Sequence, residues 1–135
     1  MFEEKLKFKL LIKCLIFYSM IIVYGIPNCG TVKKALTWLT ENGMAHEFHD
    51  FKKKGISAEK LKEWISVFGW EHVLNKKGTT WRKLTAEQQQ AVTDQASAVL
   101  LLSQNTSAIK RPIIEKDGKA VLLSFDEARY ETVLI

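Results

Sequence analysis

Residues 21–36 read Ile21-Ile22-Val23-Tyr24-Gly25-Ile26-Pro27-Asn28-Cys29-Gly30-Thr31-Val32-Lys33-Lys34-Ala35-Leu36, and the organisation of the whole chain follows from them. Ile21 to Tyr24 are consecutive apolar residues, the pattern of a strand buried on both faces. Pro27, Asn28 and Gly30 mark a loop. Beyond it Val32, Ala35, Leu36 and Leu39 fall at i, i+3, i+4 and i+7, one face of a helix, with Lys33, Lys34, Thr37 and Glu41 opposite. Asn42-Gly43 is a stop signal. A weakly alternating strand follows near residues 45–51. Such a strand–helix–strand unit predicts parallel strands joined by a right-handed crossover.

Working outward, residues 52–104 carry no strand pattern. Ser57 caps a predicted helix bearing Leu61, Trp64, Ile65 and Phe68, and Lys76-Lys77-Gly78 is a turn. Thr85-x-x-Gln88 is a capping box, opening a further helix through Val92, Ala96, Val99 and Leu100. Strand signals return at 112–115 and 120–123 around Asp117-Gly118, the preferred hairpin dipeptide. Ser124-x-x-Glu127 is a second capping box for a final helix. The expected fold class is α/β, a β-α-β … β-β-α sheet domain over residues 20–135 with an all-helical insertion at about 52–104.

Upstream, residues 1–19 place Lys5, Lys7, Lys9 and Lys13 around an apolar stretch. The run from Cys14 to Ile26 falls short of the roughly 20 residues a spanning helix needs. Cleavage as a secretory signal would destroy the strand at Ile21, and no A-x-A-like site precedes it. The expectation is an upstream extension with Met20 as the initiator. The alternatives are an amphipathic helix packed on the domain and a membrane-surface contact through the lysines.

Composition bounds the function. In 135 residues, 47% are hydrophobic and 26% charged, which excludes a disordered tail, a collagen-like repeat and a multi-span membrane protein. Twenty Lys and Arg against fifteen Asp and Glu leave +5, favouring anionic ligands without requiring nucleic acid. Two cysteines, Cys14 and Cys29, exclude a disulfide framework and a four-thiolate zinc site. His46 and His49, three apart on a strand, point to opposite faces, so no metal is expected. Trp38, Trp64, Trp70 and Trp81 read as core and insert packing. A cytoplasmic monomer is expected, with no membrane span, no nucleic acid and no bound cofactor.

Chemistry concentrates at Cys29, between a buried strand and a helix start. A thiol there faces unpaired N–H groups and the positive end of the helix dipole, and the thiolate is the reactive form. Each unit by which a thiol pKa falls takes about 1.4 kcal/mol of selective stabilisation, and the dipole supplies only about 0.3–1. Nearby cations must add the rest, from Lys33, Lys34 or a distant arginine. The position three beyond Cys29 is Val32, so a local two-cysteine mechanism is excluded. A mixed disulfide at Cys29 then needs an outside thiol, glutathione or a glutaredoxin. Cys14 would serve only if the extension folded back over the loop.

Three ordered motifs carry a resemblance: Tyr24 to Ala35, then Gly78-Thr79-Thr80-Trp81-Arg82-Lys83-Leu84, then Ile109-Lys110-Arg111-Pro112-Ile113-Ile114. From about Ile21 to Ile135 the chain resembles the arsenate-reductase-like (ArsC) family, in its Spx/MgsR/YffB branch. The resemblance implies a thioredoxin-like fold with a helical insertion. It implies Cys29 as nucleophile, Arg82 and Arg111 as anion-binding arginines, and Pro112 as the cis-proline beside the cysteine. Asn28, Gly30, Thr31 and Lys33 are the remaining candidates for substrate contact. Arsenate reductases carry a third arginine in the last hairpin, where this chain has Leu122-Leu123-Ser124-Phe125. The departure favours a glutathione-dependent thiol/disulfide reductase acting on a small anionic or disulfide substrate, with glutathione as co-substrate. The alternatives are an arsenate reductase and an RNA-polymerase-binding regulator of the Spx type. Those regulators typically show C-x-x-C, which Val32 interrupts.

Overall fold

The computed structural model describes residues 3–5, 7 and 20–135. The expectations for the extension and for Cys14 fall outside the described residues. Strand β1 (Ile21–Gly25) leads through the Cys29 loop into α1 (Gly30–Glu41), and β2 (His46–Asp50) pairs parallel to β1. β3 (Ile113–Lys116) runs antiparallel to β1 on its other side, and β4 (Lys119–Leu123) closes the order β2-β1-β3-β4. The fold is thioredoxin-like.

The β1–α1–β2 unit forms as its sequence dictates, with two refinements. Trp38 joins Val32, Ala35 and Leu39 in the buried face of α1, while Leu36 is half-buried. Phe51 leaves the second strand and opens a four-residue helix, α2 (Phe51–Lys54). The Asp50 carboxylate accepts from the N–H groups of Lys52 and Lys53, and this cap ends the strand. At the hairpin, Asp117 and Gly118 both take positive φ (53° and 81°), as a two-residue turn requires.

The region between β2 and β3 contains α3 (Ala58–Phe68), α4 (Trp70–Val73), α5 (Thr79–Arg82), α6 (Ala86–Gln90), α7 (Gln95–Gln104) and a 3₁₀ turn at Thr106–Ala108. Ser57 caps α3 through the Lys60 N–H. The capping box at Thr85 and Gln88 forms in both directions, but the helix it opens stops at Gln90. One helix was expected through Val92 and Leu100. There are two, because Asp94 and Ser97 make their own reciprocal cap and start α7 afresh. Ala98, Val99 and Leu102 of α7 then pack with Leu61, Trp64 and Ile65 of α3. Chain leaving and returning meet at a bridge between Leu74 and Ile109, flanked by Asn75 N–H to Ala108 O and Lys110 N–H to Val73 O.

The last helix, α8 (Glu127–Leu134), is also corrected. Ser124 was expected to cap it, but Asp126 does, accepting from the Arg129 N–H. Ser124 sits instead at φ 67°, with its N–H on Pro112 O and its carbonyl accepting from the Tyr130 hydroxyl.

One buried carboxylate crosses these layers. Glu115 on β3 is 2% exposed and accepts from Tyr24 Oη at 3.0 Å and Trp64 Nε1 at 2.8 Å, while Lys60 Nζ stands 3.1 Å away. Burial opposes the Lys60 charge, but hydrogen bonding and attraction to Glu115 prevail and raise its pKa.

Candidate active site

Cys29 is the N-cap residue of α1, with extended backbone (φ −119°, ψ 122°) and a half-buried side chain. Local sequence puts it there: β1 is apolar and ends at Gly25, the Pro27–Asn28 turn reverses the chain, and Gly30 opens the helix. Gly25 permits the close approach, since a Cβ there would lie 2.7 Å from a Val32 methyl.

The sulfur makes no cap hydrogen bond of conventional geometry. Partial burial pushes its pKa up, and this is the largest single influence. Against it act the Val32 N–H, the Arg111 side chain as donor, the Thr31 N–H and the Arg111 charge, and together they bring the thiol below its ordinary value.

Arg111 reaches this position from the segment entering β3, the strand paired to β1. Its Nη1 donates to Ser107 O at 2.9 Å, which anchors the guanidinium in the chain entering β3. Its Nε is buried without a hydrogen-bond partner. The Arg111–Pro112 peptide is cis, and the Pro112 carbonyl accepts from the Ser124 N–H, tying this segment to the end of β4.

The other candidates are placed as follows. Asn28 and Gly30 are exposed on the loop and Thr31 is half-buried beside the sulfur. The Lys33 side chain is exposed, and its backbone N–H makes the first helical bond to Cys29 O. Arg82 ends α5, exposed, with its Nε turned back toward Gly78 O at 3.5 Å. It is not among the leading influences on Cys29. Of the two arginines, Arg111 is brought to the sulfur, while Arg82 lies on a short helix packed against the Thr106–Ala108 turn that anchors Arg111. Where a third arginine was looked for, Leu122 is 2% exposed and inside the core.

Sequence reasoning missed Ser107, which steadies Arg111, and the Lys60–Glu115 pair. Neither has a local signal: Ser107 acts through its backbone carbonyl, and Lys60 and Glu115 are 55 residues apart. Among the described residues no group of three His, Cys, Asp or Glu is placed to hold a metal, and no helix is long and apolar enough to cross a membrane. His49 instead stacks against Tyr24 at 4.9 Å.

The ArsC family pattern matches residues 24–133. A protein of Haemophilus influenzae described as uncharacterized is 46% identical over 112 residues, covering 83% of this chain and 96% of that one. The global transcriptional regulator Spx of Streptococcus agalactiae is 29% identical over 110 residues, covering 80% of this chain and 78% of its own length. Among solved structures, the YFFB protein superposes with a TM-score of 0.80 at 43% identity, over 85% of this chain and 99% of that one.

Proposed function

The chain belongs to the ArsC family, and from that membership we propose that it is a glutathione-dependent thiol–disulfide reductase with Cys29 as its single nucleophile. The observation that carries the reading is the Cys29–Arg111 pair: a half-buried thiol at a helix start, drawn toward the thiolate by the Val32 N–H and by a guanidinium anchored on Ser107. The Cys29 thiolate attacks one sulfur of a substrate disulfide and forms a mixed disulfide, while the other half leaves as a thiolate. Glutathione thiolate then displaces the substrate half, and a second glutathione attacks the Cys29–glutathione disulfide. The products are two substrate thiols, one glutathione disulfide and the restored Cys29 thiolate. Val32, in place of a second cysteine, leaves resolution to the external thiol. Arg111 remains beside the sulfur, and its unpartnered Nε suits the arginine to an anionic reactant.

Treatment with glutathione disulfide should add one glutathione to Cys29, seen by mass spectrometry and lost in Cys29→Ala. Arg111→Met should slow iodoacetamide alkylation of Cys29 at pH 7 by about 3–10-fold and move the pH midpoint up toward the ordinary thiol range. An unshifted midpoint removes the electrostatic role of Arg111. Coupled turnover of arsenate with glutathione and glutaredoxin separates the arsenate-reductase alternative, because only that enzyme consumes arsenate.

The similarity to Spx supports a second reading, a regulator that binds RNA polymerase. Capture of the polymerase α-subunit, surviving Cys29→Ser, would favour it.

A further inference from the structure

The Lys60–Glu115 pair lies outside the thiol chemistry yet holds a cation in the wall of a cleft. That cleft, about 480 Å³, is lined by Tyr24, His49, Lys54, Ile56, Ser57 and Lys60, among others. Its lining contains two lysines and no carboxylate. Lys60 is fixed there, because its ammonium is bound 3.1 Å from a carboxylate that also holds Tyr24 and Trp64. Lys54 has no ion-pair partner among the described residues. His49 Nε2 faces Gly55 O at 3.2 Å, and a carbonyl only accepts, so Nε2 is the donor and Nδ1 remains open.

Besides Glu115, three carboxylates stand nearby without entering the lining. Asp50 is engaged in capping α2, Glu59 is exposed in the first turn of α3, and Glu63 meets Lys60 from its solvent side with 61% exposure.

The cleft opens at the same end of the sheet as the thiol. Tyr24, His49 and Ile113 are in register across β1, β2 and β3. From that level β1 runs on to Cys29, and Arg111–Pro112 enters β3. The five residue steps from Tyr24 to Cys29 span less than about 18 Å even when extended, and the Pro27–Asn28 turn shortens the path.

We propose that this cleft is the subsite for a carboxylate end of the peptide thiol that exchanges with Cys29, with Lys54 and Lys60 as its cations and Ser57 and His49 as polar contacts. The assignment rests on the glutathione-dependent reading and deepens it. Glutathione carries two carboxylates. Arg111 faces the sulfur, whereas a carboxylate further along the peptide needs charge away from it. Lys60 is held by Glu115, and the exposed Glu63 is the partner an incoming carboxylate would displace.

The test compares two reagents on the full chain. Iodoacetamide is neutral and reports the thiol alone, whereas glutathione disulfide also carries carboxylates. Lys54→Ala should slow modification by glutathione disulfide about threefold, and Lys54→Glu about tenfold, at low ionic strength. Both effects should shrink with salt, and the iodoacetamide rate should stay within twofold. If Lys54→Glu reacts with glutathione disulfide as fast as the parent chain, the subsite is overturned while the role of Cys29 stands. If the parent chain takes iodoacetamide but never glutathione, the reductase reading fails. Titration of Cys29→Ser with S-methylglutathione, followed by the His49 ring resonances, then decides the subsite separately. Saturable shifts weakened by Lys54→Glu support it, and unmoved resonances end it. Inorganic phosphate producing the same shifts at equal concentration would also overturn it, since the cleft would then be a general anion site.

Discussion

Beneath α1 and α8 the sheet buries Ile21, Val23, Ile114 and Leu122 against Ala35, Trp38, Leu39, Tyr130 and Leu134. On its other face Tyr24 and Ile113 meet Phe51, Leu61, Trp64, Leu102 and Ile109 from the helical region. The first face is closed by apolar surface and by aromatic edges, Trp38 and Phe125 both meeting the Tyr130 ring within 5.5 Å. The second also buries a carboxylate that collects donors from β1 and α3. Apolar packing loses stability in proportion to the volume removed. A shared acceptor fails all its donors at once. The same sheet is thus held by a graded attachment on one side and a concentrated one on the other.

Removing the acceptor should have the largest effect. Glu115→Ala leaves Lys60, Tyr24 and Trp64 without their common partner and should cost about 4 kcal/mol in urea unfolding. Glu115→Gln, which keeps an oxygen for the two neutral donors, should cost less. On the apolar face Leu39→Ala should cost about 3 kcal/mol. A cost for Glu115→Ala well below that of Leu39→Ala would mean that the helical region is held by packing alone, and the contrast would collapse.

Tyr24→Phe deletes one donor and should cost about 1 kcal/mol near neutrality. Its sharper use is in alkali. Burial first, and then the Glu115 charge, push the Tyr24 phenol up to about 12 from an ordinary 10. A phenol raised on folding contributes stability that is complete below pH 10 and fades as pH rises toward 12. Tyr130 on the opposite face is raised as well, by burial alone. Tyr24→Phe should therefore remove part of the alkaline loss and leave the part due to Tyr130. Glu115→Gln should alter the shares of Tyr24 and of Lys60, whose pKa Glu115 also raises, and leave that of Tyr130. Stability measured from pH 9 to 12 checks both.

What was legible in the sequence was what neighbouring residues decide among themselves. Four apolar residues at Ile21, the 3.6-residue spacing of Val32 and Leu39, and Asp117-Gly118 each set a local conformation. Where prediction slipped, two local signals competed. Asp94 and Ser97 outweighed the helical continuity of Val92, and Asp126 displaced Ser124 as the cap. The position of Cys29 was legible because a helix start is local. The Arg111–Cys29 approach was implied only by resemblance, because 82 positions separate the two residues. Glu115 was illegible for a further reason. A glutamate in a strand reads as facing water, and only the assembled fold supplies Tyr24, Trp64 and Lys60 to satisfy it.

The bridge between Leu74 and Ile109 carries a consequence for how this scaffold diversifies. Departure and return are adjacent, and neither α5 nor α6 contributes a buried residue. Doubling the length of such an excursion adds only about 0.6 kcal/mol of closure entropy. Arg82 rides on this excursion, while Cys29 and Arg111 belong to the frame. A different excursion grafted between Asn75 and Thr93, with apolar residues kept where Trp81 and Val92 meet the core, should therefore leave the approach of Arg111 to Cys29 in place.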